Sequence, residues 1–191
     1  MKATGTFLQG VCIVEPDVFR DARGYFFESW NRAVFEREVR PVDFVQDNES
    51  MSSYGVVRGL HYQKGRASQG KLVRVVSGRV LDVAVDIRKG SPTFGRYFSM
   101  ELSSENKLQL FIPRGFAHGF SVLSEMAVFQ YKCDNPYSPS EEAGIAWDDP
   151  DIGIDWKIPA GNIILSEKDM HHPLLKDARD LFDYNTDYYA E

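Results

Sequence analysis

Two of the chain's 4 histidines stand where a proton could be moved. Arg58-Gly59-Leu60-His61-Tyr62-Gln63 is followed by Lys71, and far downstream comes Pro113-Arg114-Gly115-Phe116-Ala117-His118. An imidazole titrates near neutrality and can act as a base at working pH. A nearby cation can hold the oxyanion that forms when a proton leaves the carbon beside a carbonyl. The same residues are half of a metal-site pattern, so they separate two classes of enzyme.

Spacing tests the metal reading. Cupin metal sites resemble G-x5-H-x-H-x3-4-E-x6-G followed by P-x-G-x2-H. Gly55-x5-His61 and Pro113-x-Gly115-x2-His118 fit, but Gln63 replaces the second histidine, and Ala67 and Ser68 stand where the glutamate should be. Two histidines fall short of the three protein ligands usual for catalytic zinc. The chain resembles a cupin barrel without the metal site, so neither metal nor cofactor is expected. His61 is then free to be a base. A base of this kind needs a carboxylate to fix its tautomer, and Asp82 and Asp169 are both candidates. Ser166-Glu167-Lys168-Asp169 also reads as a helix-capping pattern, which competes for Asp169. His171 and His172 precede Pro173 in an expected loop and carry no functional reading.

The elements that must position these groups are short strands. Apolar runs separated by Gly, Pro, Asn, Asp and Ser predict strands at 10–15, 25–30, 56–63, 71–76, 80–87, 97–102, 108–112, 118–123 and 127–133. Ser77-Gly78 reads as a hairpin turn. In 80–87, Leu81, Val83, Val85 and Ile87 share one face, and Val80, Asp82, Ala84 and Asp86 the other. Asp82 therefore points at solvent or into a polar cavity. Asn31 can cap a short helix over 32–39. Helix-like segments start at Ser166 and Leu174, and the tail from Asp180 is acidic and rich in tyrosine, either disordered or docked on a partner subunit. The fold class is all-β, a jelly-roll sandwich or barrel of cupin type with a few short peripheral helices. One domain covers 1–191, its helical and tail segment starting at about 166.

Bulk properties exclude several functions. The chain has 191 residues, 43% hydrophobic and 13% aromatic, which excludes disorder as the main state. A net charge of −6 argues against a nucleic-acid-coating protein, though not against a locally cationic pocket for an anionic ligand. Two lone cysteines, no signal-like start and no long apolar run predict a cytoplasmic protein that does not bind a membrane. No G-x4-G-K-[ST] loop or dinucleotide fingerprint is visible, so a diphosphate would be met by side chains such as Arg23 and Arg58.

A longer series of motifs carries a resemblance. Asp21-x-Arg23-Gly24-x-Phe26-x-Glu28, Phe44-Val45-Gln46-Asp47-Asn48, Arg58 to Gln63, Gly70-Lys71-Leu72-Val73-Arg74, Asp82 to Arg88, Ile112 to Phe120, Tyr131-Lys132 and Tyr137-Ser138-Pro139 occur in one order. Together they resemble the dTDP-4-dehydrorhamnose 3,5-epimerase family, over about 11–175. The resemblance implies metal-free epimerisation of dTDP-4-dehydro-6-deoxy-D-glucose at C3 and C5, with His61 as base, Tyr131 as proton donor, Lys71 on the enolate oxygen and Asp169 orienting His61. It implies substrate contacts from Arg23, Glu28, Gln46, Asn48, Arg58, His118, Glu142 and Lys168, with Tyr137 stacked on thymine. A homodimer is implied too. A metal-dependent cupin and a non-catalytic sugar-nucleotide binder are the competing classes; Gln63 and Ala67 argue against the first, intact His61, Lys71 and Tyr131 against the second.

Overall fold

Period-two alternation organises this chain, because most strands bury one or both faces. A computed structural model describes residues 1–190. It begins with β1 (Lys2–Gly5), β2 (Cys12–Glu15), the hairpin β3 (Val18–Asp21) and β4 (Gly24–Phe27), and helix α1 (Arg32–Glu38). Next come β5 (Gln46–Ser53), β6 (Val57–Gln63), β7 (Lys71–Ser77), β8 (Arg79–Asp86) and the two-residue β9 (Arg88–Lys89). β10 (Tyr97–Ser103), β11 (Gln109–Ile112), β12 (Phe116–Val122), β13 (Met126–Cys133), β14 (Glu142–Gly144) and β15 (Phe182–Asp183) complete the strands.

Two sheets face each other, as the all-β jelly-roll reading predicts. One has six strands in the order β1-β2-β11-β7-β13-β5, the other five in the order β10-β8-β12-β6-β14. Val73, Val75, Leu110, Ile112, Ala127 and Phe129 of the first sheet interlock with Val80, Ala84, Leu102, Phe116, Phe120 and Val122 of the second. Each outer face has a cover. Leu81, Val83, Val85 and Ile87 pack under Ile145, Trp156, Leu175 and Phe182 of the C-terminal region. Val14, Leu72 and Phe111 pack under Phe35 of α1. Asn31 caps that helix, its side chain accepting from Val34 N at 3.2 Å.

The differences from the sequence reading have physical causes. β5, Gln-Asp-Asn-Glu-Ser-Met-Ser-Ser, has no apolar stripe, yet it alternates: Gln46, Asn48, Ser50 and Ser52 are turned inward, and their neighbours are exposed. It lines a polar cavity rather than the apolar core. β1 and β3 are short pairing partners of the anticipated strands β2 and β4. The helix-like segments after Ser166 and Leu174 are single 3-10 turns, Asp169–His171 and Leu175–Asp177. The tail is ordered against its own chain: β15 pairs in parallel with β9, Phe182 is buried, and Tyr189 Oη accepts from Arg114 N at 3.1 Å. Its last residue, Glu191, lies outside the described residues.

Candidate active site

The inward rows of the sandwich change from apolar to polar along the strands, and that change makes the site. On β7, Val75 and Val73 belong to the core and Lys71 is the next inward residue. On β13, Ala127 and Phe129 give way to Tyr131 and Cys133. The register lines them up: Cys133 lies between Lys71 and Gln46, and Tyr131 between Val73 and Asn48. From the opposite sheet β6 contributes His61 and Gln63, and β14 contributes Glu142. These side chains, with Tyr62, Gln69 and Tyr137, line a cavity of about 320 Å³.

Glycines allow the two histidine-bearing strands to meet. Gly59 holds φ +128°, and a Cβ there would stand 2.6 Å from Gly119 Cα and 2.8 Å from His118 O. The close approach puts His61 opposite His118 across the β6–β12 ladder, beside a register shift.

Each histidine has its own carboxylate, which settles what spacing leaves open. Asp169 Oδ1 lies 2.5 Å from His61 Nε2, and Asp82 Oδ2 lies 2.9 Å from His118 Nε2. The capping pattern and the pairing coexist: Asp169 N donates to Ser166 Oγ at 3.2 Å, leaving the carboxylate free for His61. Burial raises the Asp169 pKa, but the imidazoles of His172 and His61 outweigh it and hold the carboxyl well below the usual range. Exposure separates the histidines. The His61 side chain is 31% exposed on the cavity wall, whereas that of His118 is 8% exposed. Burial also pushes the His118 pKa down, against Asp82, so this ring is held neutral.

The other polar groups have defined states. Burial pulls the Lys71 ammonium below the ordinary lysine range, against the opposing pull of Cys133, Asp82 and Glu142. Among the described residues Lys71 has no ion pair, and its Nζ lies 5.9 Å from the Tyr131 ring centre. Burial raises the Tyr131 phenol, which therefore keeps its proton. It also pushes the Cys133 thiol up to about 11. At the rim Tyr137 Oη donates to Glu142 Oε2 at 2.5 Å, Lys168 pairs with the same carboxylate, and Gln46 Oε1 accepts from Tyr137 N at 2.9 Å.

The cupin ligand set is not assembled. Gln63 Nε2 donates to Ala67 O at 2.6 Å and Pro136 O at 3.2 Å, while its Oε1 accepts from Ser138 N at 2.7 Å. That amide is a structural tie, and His118 is engaged by Asp82, so the residues present do not fit a cupin metal.

Of the residues singled out in the sequence, His61, Lys71, Tyr131, Gln46, Asn48, Tyr137 and Glu142 share the cavity. Asp169 and Lys168 stand behind His61 and Glu142. Arg58 is exposed, its Nε donating to Ser52 Oγ at 3.1 Å. Arg23 and Glu28 do not line the cavity; Arg23 tips the β3–β4 hairpin with its side chain 90% exposed, and Glu28 follows that hairpin, also exposed. Sequence reasoning missed Cys133, Gln69 and His172. Inward alternation with Tyr131 could have found Cys133, and the three-residue step from Asp169 could have found His172.

A two-sheet jelly-roll with acid–base groups gathered at the polar end of its interior defines a cupin-type enzyme. A family model described as dTDP-4-dehydrorhamnose 3,5-epimerase matches residues 5–177. A dTDP-4-dehydrorhamnose 3,5-epimerase of Shigella flexneri is 55% identical over 179 residues, 93% of this chain and 98% of the relative. The crystal structure of the enzyme of that name from Elizabethkingia anophelis NUHP1 is 56% identical with a TM-score of 0.90, covering 94% of this chain and 98% of that one. That of a dTDP-6-deoxy-D-glucose-3,5-epimerase from Legionella pneumophila Philadelphia 1, in complex with dTDP-4-keto-L-rhamnose, is 47% identical with a TM-score of 0.92, covering 97% and 99%. The chain belongs to the dTDP-4-dehydrorhamnose 3,5-epimerase family and is an isomerase.

Proposed function

We propose that this protein inverts C3 and C5 of dTDP-4-dehydro-6-deoxy-D-glucose, giving dTDP-4-dehydro-6-deoxy-L-mannose, by acid–base chemistry that uses no metal. The observation that carries the reading is the Asp169–His61 pair, whose imidazole lines the same cavity as Lys71 and Tyr131. With Asp169 ionised, neutral His61 holds its proton on Nε2 and keeps the Nδ1 lone pair for substrate. C3 and C5 both flank the C4 ketone, so one cation serves both steps. His61 takes the proton from carbon, Lys71 holds the enolate oxygen, and Tyr131 returns a proton from the opposite face. Each inversion leaves an imidazolium and a phenolate, and exchange with solvent resets them. Acid–base help of this kind is worth roughly 10²–10⁴ in rate, and one oxyanion donor roughly 10²–10³.

Recognition follows the same division. In this reading Tyr137, 53% exposed at the rim, stacks on thymine, and Gln46, Asn48, Glu142 and Lys168 contact the sugar nucleotide, whereas His118, the other contact expected from the sequence, is buried on Asp82 and does not line the cavity. Arg23 and Arg58 suit a diphosphate through planar paired donors. Arg23 and Glu28 lie on or beside a hairpin whose Phe19 and Phe26 are 65% and 70% exposed. In the homodimer we propose, this hairpin is covered by a second copy and carries both residues to the partner's cavity.

Proton NMR of the 4-keto sugar nucleotide in heavy water tests the reading. Deuterium is expected at both C3 and C5, and His61→Asn is expected to abolish it. Exchange at C3 alone would make the protein a mono-epimerase, and exchange that persists in His61→Asn would remove the base assignment.

A further inference from the structure

His172 supplies a third ligand-type atom beside the His61–Asp169 pair. It follows the Asp169–His171 turn, its side chain is 11% exposed, and its buried Nε2 has no hydrogen-bond partner among the described residues. That nitrogen stands 3.6 Å from Asp169 Oδ1, the oxygen that also meets His61 Nε2 at 2.5 Å. The two imidazole rings lie edge to face with centroids 5.7 Å apart. An unpartnered imidazole nitrogen beside a buried carboxylate and a second imidazole is a donor set for a borderline-soft cation.

We propose that His61, Asp169 and His172 bind a divalent transition-metal ion of the zinc type, and that its binding switches the enzyme off. The three ligand atoms all lie within 4.8 Å of one another. Zinc bonds of about 2.0–2.2 Å put neighbouring tetrahedral ligand atoms about 3.4 Å apart. The 3.6 Å gap between His172 and Asp169 already fits. The shorter His61–Asp169 contact must open by about 0.9 Å as the proton between them gives way to the metal. Two neutral imidazoles and one carboxylate leave a fourth position for water. Nitrogen donors disfavour magnesium and calcium, which take oxygen ligands.

The consequence for His61 is a change of tautomer. Metal on Nε2 displaces that proton, and the neutral ring carries its single proton on Nδ1 instead. No lone pair remains to accept a proton from carbon. This inhibitory half rests on His61 being the base; the binding half rests on geometry alone.

The experiment titrates chelator-treated protein with Zn²⁺ against a chromophoric zinc indicator, and follows solvent deuterium exchange into the sugar nucleotide at each zinc level. One equivalent is expected to bind, with exchange lost in step and restored by EDTA, and with Mg²⁺ unable to compete. His172→Phe and His172→Asn are each expected to weaken zinc binding at least about tenfold, a loss of the size seen when a metal's supporting shell is disturbed. The asparagine variant keeps a polar group, so a folding failure in the phenylalanine variant leaves the test intact. Zinc binding unchanged in both variants, or no binding with zinc well above the protein concentration, would overturn the site. Binding that needs His172 but leaves exchange untouched would overturn the inhibition, and His61 as base with it.

Discussion

Asp169 Oδ1 lies 2.5 Å from His61 Nε2 across 108 residues of chain, while Asp82, two strands away, holds His118 instead. The two carboxylates divide the two histidines, one toward the cavity and one toward the core. Asp169→Asn presents an amide that donates to Nε2, which forces the imidazole proton onto Nδ1 and removes the base. Turnover is expected to fall by about 10²–10⁴, with little change in KM or thermal midpoint. Steady-state kinetics beside a melting curve check this. An unchanged kcat would remove Asp169 from the mechanism.

The alkaline side of the pH profile should report Lys71. Burial lowers its pKa, so the ammonium is present at low pH and is lost as pH rises through a value below the ordinary ~10.4. Tyr131 is shifted upward and still holds its proton there. Lys71→Arg is expected to move the alkaline limb of kcat to higher pH, and Lys71→Met to cost about 10²–10³ in kcat. A limb that stays in place in the arginine variant would assign it to another group.

Gly59 is expected to tolerate no side chain. A Cβ meets two backbone atoms of β12 at 2.6 and 2.8 Å, and φ is +128°. Gly59→Ala should cost about 1–3 kcal/mol through backbone strain and about as much again through overpacking. Urea unfolding measures the sum. A stability equal to that of the parent would mean that β6 and β12 can separate without loss.

Phe182 ties the C-terminal tail to the body, 3% exposed within the cluster of Leu60, Tyr62 and Trp156. Phe182→Ala should destabilise by about 3 kcal/mol, and kcat below the melting transition should change less than stability does. A collapse of kcat in the folded variant would show that the tail positions the cavity, which it approaches where a Cβ on Gly70 would stand 2.8 Å from Tyr189 Oη.

Much of this protein is local, and local features were legible in the sequence. Alternation gave β6, β7, β8 and β13, and Asn31 marked the start of α1. The departure at Gln63 from the metal spacing was readable for the same reason, since it depends on neighbours in the chain. β5 escaped because its inward face is polar, so hydrophobic alternation had nothing to register there. The tertiary structure alone decided which aspartate meets which histidine, that His172 comes within 3.6 Å of Asp169, and that the tail packs on its own chain. Those outcomes join residues far apart in sequence, and they depend on sheet order and on how the C-terminal segment crosses the outer face. Side-chain period and turn chemistry fix a strand's faces, but only the closed sandwich fixes what each face meets.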